Sequence, residues 1–141
     1  MSLTDAQARK LLDEGFTCVI YNETEAYNSV ERGVAPLIQW LESGKDFVGF
    51  SAADKVVGRA AAFLYVLLGV KKLQAVVLSE SAEKVLADFE IAYTYENKVS
   101  AIRNRTDTGF CPMEQAVWDI TEPTVAHKKI KDTLQKLKEQ K

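Results

Sequence analysis

Three short stretches hold the residue types that could do chemistry. In Ser51-Ala52-Ala53-Asp54-Lys55-Val56-Val57-Gly58-Arg59-Ala60-Ala61-Ala62, an acid and a base stand side by side between an apolar run and a long apolar helix. A strand-to-helix junction offers unpaired backbone N–H groups and the positive end of a helix dipole, which suit an anion or a polar ligand edge. Ser79-Glu80-Ser81 opens a second helix in the same way, after the strand-like run Leu73 to Leu78. The third stretch is Ile102-Arg103-Asn104-Arg105 followed by Cys111-Pro112-Met113-Glu114. Arg103 and Arg105 could clamp a phosphate or carboxylate bidentately, with Asn104 sharing it. Pro112 fits the first position of a helix and Glu114 the third, which puts Cys111 at the N-cap. A thiol there feels the helix dipole, and a nearby arginine would lower its pKa while Glu114 would oppose that.

Each group also has an ordinary explanation. Ser51-x-x-Asp54 is a capping pair, and Ser79 or Ser81 is an N-cap. Cys111 is a small half-buried cap, and the arginines pair with Asp107 and Glu114. Arg59 is the one charge inside an apolar helix, so burial demands a partner: Asp54, Glu80 or a bound anion. His127, beside Lys128 and Lys129, reads as solvated.

The elements that must position these residues follow from periodicity. Thr4 caps a first helix ending at Gly15. Residues 16–21 and 26–30 form a hairpin, and residues 33–41 a helix with Pro36 in its first turn. Phe47-Val48-Gly49-Phe50 is a short strand, and Ser51–Lys55 is the loop that leads into a buried helix ending at Leu68. "LQAVVL", Leu73 to Leu78, is a strand typical of a parallel sheet covered on both faces. A short helix carries Val85, Leu86 and Phe89, then Ile91 to Tyr95 returns as a strand. Val99 and Ile102 suggest another short strand. Two helices finish the chain, the second starting at Thr121-Glu122-Pro123. The order predicts an α/β fold, a three-layer α/β/α sandwich whose opening hairpin makes the sheet mixed. The expected organisation is one domain over residues 1–141, with 122–141 a C-terminal amphipathic helix.

Bulk properties exclude several classes. The composition is 47% hydrophobic and 27% charged, with a formal net charge of −2, so no basic face points to nucleic acid. No N-terminal run resembles a signal peptide, and Ala60 to Val70 is too short to span a bilayer. The two cysteines make no disulfide framework, which favours a cytoplasmic setting with reduced thiols. No membrane partner and no cofactor are expected.

Two helix N-termini meeting over such a sheet resemble the cytidine-deaminase-like fold. In active members the first junction carries His (or Cys)-x-Glu and the second Pro-Cys-x-x-Cys, and together they bind a zinc whose water attacks the amidine carbon. Laid on this chain, the first motif falls at about Asp54-Lys55-Val56. The second falls on Glu80-Ser81-Ala82-Glu83-Lys84, so serine and lysine stand in place of the thiols. "DKVVGRAAA", "AVVLSESA", "IRNRT" and "CPMEQAV" together resemble the domain of unknown function 1893 family, a bacterial family of small deaminase-fold proteins. What this resemblance implies is the fold without its zinc, and no activity.

Three function classes remain open. The leading one is a binding protein that holds a small polar, anionic or nucleotide-like ligand in the crevice between the two helix N-termini, using Asp54, Lys55, Ser79, Glu80 and Ser81, with Arg103, Asn104 and Arg105 as further contacts. The second is a metal-independent enzyme or redox protein using Cys111, or the Asp54/Lys55 pair, for covalent or acid–base work. The third is a protein-interaction module or homo-oligomer that uses a sheet edge or the last helix.

Overall fold

The computed structural model describes residues 4–31, 33–102 and 111–139. Helix α1 (Asp5–Asp13) starts at Thr4, whose hydroxyl accepts from the Gln7 N–H in a reciprocal capping box. The hairpin follows as β1 (Cys18–Tyr21) and β2 (Ala26–Ser29), then α2 (Ala35–Glu42). Three parallel strands alternate with helices: β3 (Ser51–Val57), α3 (Arg59–Leu68), β4 (Lys72–Ser79), α4 (Glu80–Asp88) and β5 (Ala92–Val99). Helices α5 (Pro112–Val117) and α6 (Pro123–Glu139) complete the chain.

The sheet order is β2-β1-β3-β4-β5, with β1 antiparallel to both its neighbours. Strands β3, β4 and β5 run parallel. Parallel units cross over with one hand, which puts α3 and α4 on the same face. The faces have separate cores. Ala8 and Leu12 of α1 pack against Val19, Tyr21 and Ala53 on one side. The other core joins Leu37, Phe63, Leu86, Val117 and Ile130 from the remaining helices. The fold is thus an α/β sandwich on a mixed five-stranded sheet. No helix among the described residues is long and apolar enough to cross a membrane.

The junction after Phe50 differs from the expectation. Phe47 to Phe50 is not a strand; Phe47 and Phe50 pack edge to face, 5.1 Å between centroids. The strand is the Ser51–Val57 stretch itself, expected as a loop. Small residues have weak β propensity, but β3 is the central strand, pressed on both faces. Ala53 meets α1, and Ala52 meets the α3 side. Small side chains are what that spacing admits. Helix α3 therefore starts only at Arg59, with Gly58 as N-cap.

The last strand runs from Ala92 to Val99 and not to Tyr95, and Ile102 lies in no strand. Its polar second half reflects an edge position exposed to solvent rather than a loop. His127 is half-buried rather than solvated, with its Nε2 buried and unbonded among the described residues.

Candidate ligand cavity at the carboxyl end of β3

In open α/β sheets, ligands gather beyond the carboxyl ends of parallel strands. A cavity of about 430 Å³ lies there, where β3 runs into α3. Because β1 is antiparallel, its start faces the end of β3: Cys18 pairs with Asp54, and the Lys55 N–H donates to the Thr17 carbonyl at 3.0 Å. The cavity is closed by the start of α2 and by Cys111, Met113 and Glu114 at the start of α5.

Asp54 is the polar centre of this wall. It is 7% exposed. Its Oδ2 accepts from the Tyr65 hydroxyl at 2.7 Å, and its Oδ1 from the Val56 N–H at 3.2 Å. Burial pushes the carboxyl up to about 7, against the opposing pull of Tyr65 and the Val56 and Lys55 amides. The Tyr65 hydroxyl is raised well above its ordinary range, by burial first and then by the charge of Asp54. The same two causes push the Cys18 thiol up to about 12. Cys18 is therefore an inert thiol at neutral pH.

Glu114 makes the second wall from a distance. Gly58 offers α3 no side-chain cap, and Glu114 does that work from α5. Its Oε1 accepts from the Arg59 N–H at 2.7 Å and its Oε2 from the Ala60 N–H at 3.0 Å. The carboxylate lies so close that a Cβ on residue 58 would stand 2.5 Å from Glu114 Cδ. Glycine is thus required here for space, since its extended backbone (φ −99°) suits any residue. Burial raises the Glu114 carboxyl, while the two N–H groups and the Arg59 charge hold it back.

Arg59 fills the gap between the helix N-termini. Its Nε donates to the Val117 carbonyl at 3.0 Å, its Nη1 to Ser81 Oγ at 3.1 Å and its Nη2 to the Ile120 carbonyl at 2.5 Å. The guanidinium also lies 5.0 Å from the Phe63 ring centre. Neither of the acids expected to pair with it, Asp54 and Glu80, bonds to its guanidinium among the described residues. Carbonyls at the end of α5 serve instead, since Arg presents a fork of five donors and no acceptor.

A family model described as a domain of unknown function (DUF1893) matches residues 7–134. The chain belongs to the DUF1893 family. A solved structure of a DUF1893 family protein from Thermotoga maritima has a TM-score of 0.78 with this chain at 21% identity, covering 95% of this chain and 92% of that one. At that identity the likeness speaks for the fold. A search of curated proteins found no match.

In this DUF1893 chain, the expected crevice and the actual cavity are different places. Asp54, Lys55 and Cys111 come together at the cavity. Ser79, Glu80 and Ser81 do not. Ser79 is fully buried and caps α4 by accepting from the Ala82 N–H at 3.0 Å. Ser81 is taken by Arg59, and Glu80 is exposed. Arg103, Asn104 and Arg105 lie outside the described residues, as does Asp107. Cys111 is the N-cap of α5 as expected, with Pro112 after it, but its side chain makes no capping bond. Glu114 turns from that helix toward α3. Among the described residues, no three His, Cys, Asp or Glu side chains gather as metal ligands.

Sequence reasoning missed Tyr65, Cys18 and the capping role of Glu114 beside Gly58. Only Gly58 left a signal, a glycine directly before a helix that has no polar N-cap. A second cavity, of about 460 Å³, opens at the other end of the sheet beside Asp5, Tyr21 and Lys72. Asp5 there is already answered: it accepts from Lys72 Nζ at 2.7 Å and from the Tyr21 hydroxyl at 2.6 Å, which holds its carboxyl below the usual range.

Proposed function

We propose that the chain is a binding protein for a small polar ligand, held in the cavity at the carboxyl end of β3 with Asp54 as its principal polar contact. One observation carries this reading. Asp54 is buried on the cavity wall with its carboxyl raised to about 7. A carboxyl held there costs the fold stability at neutral pH, and such groups cluster at functional sites.

The resemblance to deaminase-like folds fits a binding role without hydrolytic deamination. Helix α3 begins at Gly58-Arg59-Ala60 and α4 at Glu80-Ser81-Ala82, so the two junctions hold an arginine–serine hydrogen bond in place of zinc-ligating types. A nucleobase-like ligand is the natural candidate by that analogy. Both cysteines are free thiols, which suits the cytoplasm.

The test is a thermal-shift panel of nucleosides, nucleotides and small polar compounds on wild type and Asp54→Ala. A ligand at about 100 times its Kd stabilises by about 2.7 kcal/mol, or roughly 5–10 °C for a chain of this size. A hit lost in Asp54→Ala supports the site. A hit indifferent to that change moves the site elsewhere, and silence across the panel removes the reading.

A further inference from the structure

Resting on the cavity reading above, we propose a ligand class: a small organic cation, an apolar body that carries a protonated amine, amidine or guanidine and pairs it with Asp54. Three features of the cavity lead there. First, the acid lines the space and has unused capacity. A carboxylate offers about four lone-pair sites. The Tyr65 hydroxyl and the Val56 N–H take one on each oxygen. The Lys55 amide also draws on the carboxyl, which leaves at least one site for an N–H donor of a cation.

Second, no side-chain cation pairs with Asp54 among the described residues. Arg59 is spent on Val117, Ile120 and Ser81, and no ion pair joins Asp54 to Lys55 among the described residues. Buried charges are ordinarily paired, and a cationic ligand would give Asp54 that partner. Third, the remaining wall suits a compact apolar body. Val34, Ala60, Ala61, Ile102 and Met113 line it, with the acid at one point on it.

The groups around Asp54 favour this sign of charge. Tyr65 faces it from α3 and Cys18 from β1, both neutral, with Lys55 next along β3. Across the space, α5 contributes Glu114 and Cys111. The two acids outnumber Lys55 among the charged residues lining the cavity, which favours a cation over an anion. Binding a cation would also draw the Asp54 carboxyl back toward its ordinary range, so affinity rises as Asp54 ionises.

Three probes of one shape test this directly on the full chain: benzamidinium, benzamide and benzoate, which are cation, neutral and anion. Calorimetric titration of wild type is expected to rank them in that order, with benzamidinium at least about tenfold tighter than benzamide. In Asp54→Asn that preference is expected to fall within about threefold. For wild type, benzamidinium affinity is expected to rise between about pH 6 and pH 8 while benzamide affinity stays flat. The pH arm needs no variant, so it decides even where Asp54→Asn folds poorly. Benzoate binding tightest, or equal binding by all three, overturns the cation assignment and leaves the cavity as a ligand site. Binding by none of the three at millimolar concentration overturns both.

Discussion

The contact between Gly58 and Glu114 makes a quantitative prediction. Truncating Glu114 to alanine strips two buried N–H groups, on Arg59 and Ala60, of their acceptors. Each unsatisfied buried group costs about 1–3 kcal/mol. Water entering from the adjoining cavity favours the lower half of that range, so the expected loss is about 3 kcal/mol, roughly 10 °C in melting temperature. Gly58→Ala reaches the same point by another route. Its Cβ would sit 2.5 Å from Glu114 Cδ and 2.7 Å from Oε2, and the carboxylate, the end of a flexible side chain, must leave. The expected cost is about 2–3 kcal/mol in the wild-type background. In the Glu114→Ala background nothing remains to collide, and only the preference for glycine over alanine at an N-cap persists, about 0.5–1 kcal/mol. The two changes should therefore be strongly non-additive, with a coupling of about 2 kcal/mol. Urea unfolding of the four proteins measures it. Additivity within about 0.5 kcal/mol would refute the capping of α3 by Glu114.

Three further outcomes follow from the same site. Unfolded Asp54 ionises near 3.9, whereas the folded carboxyl does so at about 7; between these the unfolded chain releases a proton that the folded chain keeps. Stability thus falls as pH rises from about 4 to about 7, by about 4 kcal/mol, and stays low above that. The raised Glu114 carboxyl adds a trend of the same sign. Asp54→Asn should be more stable than wild type at about pH 8 but not at about pH 5, as read by denaturant midpoints; a constant difference would count against the burial of Asp54. Arg59→Met should cost about 2–4 kcal/mol by leaving the Val117 and Ile120 carbonyls without their donor. Arg59→Lys should rescue little, since one ammonium cannot span acceptors on separate elements; full rescue in urea unfolding would contradict the bridge. Thiol labelling at neutral pH should modify Cys111, which is half-buried, and leave Cys18 until the protein unfolds. Mass spectrometry of the labelled native protein reads this, and early modification of Cys18 would disprove its inert setting.

Much of the fold was legible in the sequence. The continuous apolar run at Leu73 marked β4, Thr4 and Ser79 marked helix starts, and Pro112 placed α5. What misled was β3. Its residues Ser51 to Asp54 are small or polar because two helices press on the strand, and local propensity carries no record of that pressure. The shift of four residues moved the expected ligand loop into the sheet and left Arg59, not Asp54, between the helix starts. The candidate site was half legible. Asp54, Lys55 and Cys111 were found as residues that could do chemistry, and they share a cavity. Tyr65 and Glu114 could not be paired with Asp54 and Gly58 from spacing, because each contact bridges separate elements or a strand and its following helix. Periodicity reports which face a residue takes, not what lies opposite.

The most direct test of the cavity assignment is amide chemical-shift mapping of the isotope-labelled chain against the panel of nucleosides and small polar compounds. Ligand-induced shifts are expected to cluster at Thr17 and Cys18, at Asp54 to Gly58 and at Cys111 to Glu114. Shifts centred on Asp5, Tyr21 and Lys72 at the opposite end of the sheet, or on the edge strand β5, would contradict it.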